Sequence, residues 1–487
     1  MHRKPSKKQL LIQRTIIFIT MVISVVVIVT GTILFILGYR LDGMNGRIEQ
    51  GALVQFDSQP SGAQVTIDGK RINSQTSTKR TVVAGEHSFL VQKDKYQPWT
   101  KQLTLDAGTL TWLDYIRLVP VDLQKQTVRS YEQVYGEKAA PDLQTIAIQE
   151  FAATPKFEII DIRSKEVKSV EVSLPEDVYS EATTADVAHV FTMHRWSEDG
   201  RFILLKHDFK DQSEWIVMDT ENVAASVNIT RALSIALSDV QFAGANGSSF
   251  YGLSDGVVRK LDLSNATISR GLVTNVTSFS LYETNTLTYV GHDTKDTTKN
   301  VVGFYRDGAA EPYVIRTTNA DVALSIATTK YFNDDYIAVT EGLRTTVLKG
   351  HYPSVNQKLD DAMQSIKEFT LPSPVTELSF GPNGDYLVAQ SGLLFMSYEL
   401  EHDRLNTATL QTSETDAHEL HWLDDAYLWA VYDGHASMRE FDGTNVHVIM
   451  PVEPGFDVTL SQNGRYFYGV NKTDGTYRLE RVTMILE

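Results

Sequence analysis

The sequence predicts an all-β chain carried on one N-terminal transmembrane helix, with a small β-sandwich followed by a seven- or eight-bladed β-propeller. Three observations lead there. A charge-free run from Thr15 to Tyr39 is dominated by Ile, Val, Leu, Phe and Met. Behind it come short strand patterns punctuated by Gly, Pro, Asn and Asp. From about residue 120 onward a turn-and-strand pattern recurs every 38 to 53 residues or so, the period of a four-stranded blade.

The apolar run is the first element. From Ile16 to Leu37 it would span roughly 33 Å as a helix, enough for a hydrocarbon core of about 30 Å. Its many β-branched residues are tolerable because lipid offers the backbone no other hydrogen-bond partner. Five basic residues and no acidic ones precede it: Arg3, Lys4, Lys7, Lys8 and Arg14. The positive-inside rule then makes residues 1–14 a cytoplasmic tail, residues 15–39 a membrane-spanning anchor, and everything after them extracytoplasmic. A cleaved signal peptide is the competing reading. It asks for a shorter apolar region and a small-x-small cleavage site, and the Leu37-Gly38-Tyr39-Arg40 exit provides neither.

Bulk charge narrows the function class. The chain has 45 basic and 61 acidic residues, a formal net charge of −16. Without the first fourteen residues, 40 basic residues face 61 acidic ones, a net of −21. Such a body lacks the basic footprint that nucleic-acid binding requires. The chain has no cysteine, so disulfides, thiolate metal sites and cysteine nucleophiles are excluded. Stability must come from core size.

Residues 40–51 read as a polar, Gly-rich linker, with Asp42-Gly43, Asn45-Gly46 and Gly51. Residues 52–119 then read as a β-sandwich. Pro60-Ser61-Gly62 supplies a fixed φ followed by a free one for a tight turn. Val65 and Ile67 alternate with Gln64, Thr66 and Asp68 as a half-buried strand should, and Asp68-Gly69 is a strong hairpin signal. Phe89, Tyr96, Trp99, Leu103, Leu105 and Trp112 supply further core. The run Pro60 to Val65, Ile67-Asp68-Gly69-Lys70, Gly85-Glu86-His87 and Lys95-Tyr96 resembles the PEGA domain, a bacterial and archaeal surface module. Ser61 stands where that family usually has Glu, Gln75-Thr76-Ser77-Thr78 where a Thr-Pro commonly follows the hairpin, and Lys95 where Gly often precedes the Tyr. The resemblance implies an extracytoplasmic β module with cell-envelope, adhesive or carbohydrate-binding roles, and brings no catalytic residue.

Residues 120–487 read as the propeller. The clearest repeats are Trp196-Ser197-Glu198-Asp199-Gly200-Arg201, Phe380-Gly381-Pro382-Asn383-Gly384-Asp385 and Leu460-Ser461-Gln462-Asn463-Gly464-Arg465, each followed by a strand. Fainter copies follow Phe242, Tyr331, Trp422, Leu281 and Pro141, and a short amphipathic helix is expected near Leu359 to Ile366. The last repeat has room for about three strands, so residues 121–130 are expected to supply a fourth and close the ring. The Trp-Ser-x-Asp-Gly-Arg pattern resembles the blades of Tol-associated and peptidase-associated propellers; lectin-like and quinoprotein-like rings remain alternatives.

Catalytic signatures are sparse. The sequence has no phosphate-binding Gly loop and no Gly-x-Ser-x-Gly elbow. His418-Glu419-Leu420-His421 is one residue short of a zinc-binding His-Glu-x-x-His, and on a strand its two histidines would face opposite ways. His194, His207, His292 and His351 share no spacing. Asn333-Asp334-Asp335 and Asn471 to Gly475 read as turns rather than Ca²⁺ loops. The six Trp, at 99, 112, 196, 215, 422 and 429, read mainly as core, with sugar stacking the alternative. Sequons stand at Asn228, Asn265 and Asn275. No catalytic, cofactor-binding or metal-ligating residue is nominated, and no cofactor is expected. The sequence thus predicts a non-enzymatic envelope protein, anchored in the cell membrane, that displays a propeller to a protein or glycan. The alternative is an enzyme acting on an extracellular polymer through channel carboxylates.

Overall fold

The structure, a computed structural model of the 487-residue chain, describes residues 7–36, 39–41, 48–184, 186–354, 357–414 and 418–486. The chain divides into two compact units, Met1–Asp122 and Leu123–Glu487.

Unit one opens with a helix, Lys7–Ile36. Its Leu11–Leu34 stretch has a mean hydropathy of 2.7 and is wholly exposed, long and apolar enough to cross a membrane. The hydroxyls of Thr15, Thr20, Ser24 and Thr32 each donate to the carbonyl one turn back, at 2.7–3.0 Å. Each of those hydroxyls is thus satisfied within the helix. The helix begins well before Thr15 and ends before Tyr39, so the apolar stretch sits inside a longer helical rod whose first turns carry the basic residues. Residues 1–6 of the expected tail lie outside the described residues.

The expected linker is shorter than the sequence suggests. Tyr39–Leu41 pairs with Ile48–Gln50 at the head of a strand that continues to Gln59. Gly51 is therefore inside a strand, where a Cβ would lie 2.6 Å from the Val82 carbonyl oxygen. It marks close backbone approach rather than a flexible stalk. Asp42-Gly43 and Asn45-Gly46 lie outside the described residues.

Two four-stranded sheets follow. One pairs Ile48–Gln59 with Tyr39–Leu41, Thr78–Val83 and, in parallel, Leu110–Arg117; the other orders Lys70–Gln75, Gln64–Ile67, Gly85–Gln92 and Trp99–Leu105. Val54, Phe56, Val65, Phe89, Val91, Trp99 and Leu113 are buried, with the Phe56 and Phe89 rings 5.5 Å apart. Asp68 and Gly69 both take positive φ, as the tight hairpin requires. Asp68 also accepts from Ser88 N at 2.9 Å and meets His87 Nδ1 at 2.6 Å. Those hydrogen bonds, the backbone one first, hold its carboxyl below the usual range. Thr76 carries a contact the sequence did not announce: it is buried, meets Ser58 Oγ at 2.6 Å and accepts from Ala63 N at 2.9 Å. Past Arg117 the chain stays with this unit, since Tyr96 bridges Pro120 and Val121 N donates to Lys95 O.

Unit two holds eight four-stranded antiparallel sheets among the described residues. We number them blades 1 to 8: residues 136–173, 189–228, 239–268, 276–319, 324–370, 377–409, 421–451, and 458–483 with Lys125–Tyr131. In blades 1 to 7 the strands pair in chain order. Blade 8 takes its fourth strand from the start of the unit: Tyr477 pairs with Tyr131 and Val482 with Lys125.

The cores lie between blades. Seven buried clusters each join two neighbours, from blades 1 and 2 (Phe157, Phe191, Ile216) through blades 8 and 1 (Tyr468, Leu479, Ile146, Ile160). The repeated turn explains itself. In blade 2, Ser197 Oγ donates to Asp199 Oδ1 and accepts from Phe202 N, while Asp199 accepts from Arg201 N. Blade 8 repeats this with Ser461, Asn463, Arg465 and Tyr466. A short acceptor side chain two residues after the Ser fixes the turn, and Gly200 and Gly464 take positive φ. The helix expected near Leu359 to Ile366 stops at Ala362, and Met363–Thr370 is instead the fourth strand of blade 5, because it pairs with Arg344–Gly350.

Candidate functional site

The first strand of each blade is the inner one. First strands of neighbouring blades approach each other, 136–139 with 189–196 and 324–331 with 377–380. The borrowed strand of blade 8 sits at the opposite edge. Side chains from several blades therefore meet along this inner row.

Four acids share one register in that row. Asp239 and Glu377 stand three residues before the ends of their strands, Phe242 and Phe380. Glu419 and Asp457 hold the same place ahead of Trp422 and Leu460. Asp239 is paired: His194 Nε2 lies 3.2 Å from it and Gln241 Nε2 donates at 3.2 Å. Burial works to raise its pKa, but those contacts outweigh it and leave it low. Asp457 meets Lys138 Nζ at 3.4 Å, and its backbone N–H donates to Glu137 Oε2 at 3.2 Å. Glu137 is pushed up to about 8, by burial first and by the neighbouring Asp457 charge second. At neutral pH it is mostly protonated. Glu377 is also raised, by burial and then by Glu419. An acidic arc thus spans blades 6, 7, 8 and 1.

Glu137, raised in pKa beside a second carboxyl group, Asp457, has the pattern of an acid–base carboxylate pair. Its placement argues otherwise, because Glu137 is only 8% exposed.

Three buried glutamines fasten neighbouring blades. Gln241 Nε2 donates to Phe279 O at 2.7 Å and its Oε1 accepts from Leu281 N at 3.2 Å. Gln390 does the same to His418 O and, at 2.9 Å, Leu420 N. Gln149 Nε2 donates to Phe191 O at 3.0 Å. In each case a side-chain amide stands in for a strand partner at an otherwise open inner edge.

Blade 2 contains a buried relay. Glu214 Oε1 lies 2.8 Å from His207 Nδ1, and His207 Nε2 lies 2.9 Å from His189 Nδ1. Ser180 donates to Glu214 from both its backbone N and its Oγ, each at 2.7 Å. Burial opposes ionisation, yet the hydrogen bonds from His207 and Ser180 bring Glu214 down to about 2. An ionised Glu214 can only accept, so His207 donates its Nδ1–H to it. Tyr179 stacks edge-on against both imidazoles, and Ser180 and Glu214 line a cavity beside them.

The residues singled out in the sequence are scattered. His418 lies outside the inner strand, 2.7 Å from Glu414, whereas His421 is in it, with its ring 4.7 Å from Trp429. Both line one cavity of about 530 Å³ with Glu414, Glu419 and Asp457. Among the described residues, no group of three or more His, Asp and Glu side chains is placed to hold a metal ion. His351 lies 3.8 Å from Asp335 at the surface. Of the tryptophans, Trp99 and Trp215 are fully buried and only Trp112 is substantially exposed, with Lys79 Nζ over its ring. Asn228 is buried and caps the turn at Arg231, which leaves it closed to glycosylation. The glutamine clamps and the relay gave no sequence signal, because each is made by residues brought together only by blade packing.

Comparison with known proteins fits this architecture. Residues 52–121 match the PEGA domain family, so the chain carries a PEGA domain ahead of its β-propeller. No curated protein matches the chain. Among solved structures, the chain is similar to the C-terminal WD40 domain of Sif2, at 12% identity and a TM-score of 0.48, over 74% of this chain and 98% of that one. It is also similar to the β-propeller domain of Myceliophteria thermophila Cps50 (Swd1), at 11% identity and a TM-score of 0.39, over 73% and 99%. Hsv2 of Kluyveromyces lactis is similar at 11% identity and a TM-score of 0.39, over 66% and 98%.

Proposed function

We propose that this chain is a single-pass anchored envelope protein that displays its propeller, outside the cytoplasm, to a protein or glycan ligand. One conjunction carries the reading: an apolar helix fit to span a bilayer, followed by a PEGA domain and a propeller. Both β units are suited to presenting a rigid surface. The polar groups of the inner row support binding over catalysis. Asp239, Asp457, Gln241 and Gln390 are each held by a partner within the ring, and the most perturbed acid, Glu137, is sealed below the surface. We therefore read the chain as non-enzymatic, bacterial and without a resident cofactor.

Two measurements test this. Protease added to intact cells should digest residues 48–487 and spare a fragment of the N-terminal helix; full protection would reverse the proposed orientation. Full-length chain, solubilised and immobilised, should retain envelope protein or glycan, and retention of neither would overturn the binding role.

A further inference from the structure

Between the outer parts of blades 3 and 4 lies a cavity of about 370 Å³, inside the range of about 300–1,000 Å³ typical of small-molecule sites. Two features of the chain open it. The segment Arg270–Thr274 runs past blade 3 held by its backbone, with Val258 N donating to Val273 O and Leu272 N to Val258 O. Opposite it, blade 4 carries Gly303 where other strands carry a side chain. A Cβ there would sit 2.8 Å from the Tyr289 hydroxyl, so the glycine makes the room that Tyr289 occupies.

Its lining is polar where the core of a propeller is normally apolar. His292 Nδ1 is buried and has no hydrogen-bond partner. Among the described residues the hydroxyls of Tyr289 and Tyr305 reach acceptors, the carbonyls of Tyr313 and Ala309, at 3.5 Å, well beyond a good O–H···O distance. Buried polar groups left without strong partners are destabilising unless a ligand or water satisfies them. At the mouth stand a guanidinium, Arg270, and a carboxylate, Glu311, neither of which makes a side-chain contact among the described residues. Asp293 adds a second carboxylate to the lining and Thr274 and Thr294 two hydroxyls, and Leu272, Val273, Val301 and Val314 supply an aliphatic face.

We propose that this cavity binds the ring of a neutral sugar. The donor, the acceptor and the amphoteric hydroxyl and imidazole groups together suit a ring with several hydroxyls. The aliphatic face suits its C–H face, Arg270 and the carboxylates of Asp293 and Glu311 can pair with ring hydroxyls, and the excess of carboxylate disfavours an anionic ligand. The inference rests on the binding role proposed above and names the ligand chemistry of one site.

The test uses full-length chain in a zwitterionic, sugar-free detergent. Glucose, galactose, mannose and N-acetylglucosamine are titrated separately and followed by saturation-transfer NMR. At least one should bind in the millimolar range. Val314→Trp, at a position 49% exposed on the cavity wall, should fill the space and weaken binding by about tenfold or more, close to 1.4 kcal/mol. Thr274→Trp, on the opposite wall, should do the same, so that a fold defect in one variant leaves the other to decide. Arg270→Ala should weaken binding severalfold. Binding of none of the four sugars, or unchanged binding in the folded tryptophan variants, overturns the site. Envelope retention separates the two ideas. Retention by wild-type chain with no binding of any of the four sugars leaves the propeller a binder at another surface. Sugar binding with no retention supports the cavity and removes the wider role.

Discussion

The sandwich and the propeller both cover the apolar faces of four-stranded sheets, and they do so in opposite ways. In the sandwich the two sheets cover each other, so Phe56, Phe89 and Trp99 form a core within about 70 consecutive residues. In the propeller no blade has a core of its own. Phe157 of blade 1 is covered by Phe191 and Ile216 of blade 2, and the last gap is closed where Tyr131, Tyr468 and Leu479 of blade 8 meet Ile146 and Ile160 of blade 1. Small domains tolerate little loss of core, whereas a ring spreads its stability over many interfaces but depends on closure.

Breaking the closure should therefore have the largest effect. Removing residues 123–131 bares the strand Thr476–Thr483 along its whole length and takes Tyr131 from the seam between blades 8 and 1. We expect a loss on the order of 5 kcal/mol, from a full row of strand hydrogen bonds and one large buried side chain. Hydrogen exchange should show fast exchange across residues 466–483 while amides of residues 52–117 stay protected. Equal protection of blade 8 in the deleted chain would mean that closure is not what holds it.

How much of this was legible in the sequence follows from the same contrast. The sandwich announces itself locally: Pro60-Ser61-Gly62 and Asp68-Gly69 need their φ values, and their neighbours alternate. The blades announce themselves by repetition, most clearly where Ser-x-Asp/Asn-Gly-Arg closes its own hydrogen-bond ring. Even the borrowed strand was legible, as a shortage of one strand at the C-terminus. Side-chain contacts across blades were not. Gln390 and His418, or Glu137 and Asp457, are 28 and 320 residues apart, and no spacing rule links them. Gly51 misled because a glycine required by close packing looks like one that permits flexibility.

The next effect is on the ring alone and depends on pH. Glu137 has a pKa of about 8 when folded, against about 4.5 when unfolded. The folded state thus holds the extra proton between those values, and stability falls as pH rises through that window. Glu137→Gln keeps the neutral shape without the titration. It should melt like the wild type at pH 4.5 and be more stable by on the order of 3 kcal/mol at pH 8. The sandwich transition should not move between the two proteins. Equal pH slopes would show that Glu137 is ionised and solvated after all, which would reopen the reading of it and Asp457 as an acid–base pair.

The smallest effect isolates what holds one blade to the next. Gln390→Ala removes both contacts to the segment leading into the blade 7 inner strand and leaves His418 O and Leu420 N without this partner. The methylenes of the glutamine contribute little packing there, so the cost should be that of two broken hydrogen bonds, about 1–3 kcal/mol. Because neighbouring blades share their cores, the loss should appear as faster exchange at Leu420 and the 421–422 strand rather than as a general fall in protection. Gln390→Glu is the sharper variant. A carboxylate can still accept from Leu420 N but repels His418 O, so it should be worse than alanine if the amide is a two-way clamp. A glutamate better tolerated than alanine would mean that the acceptor half alone carries the contact.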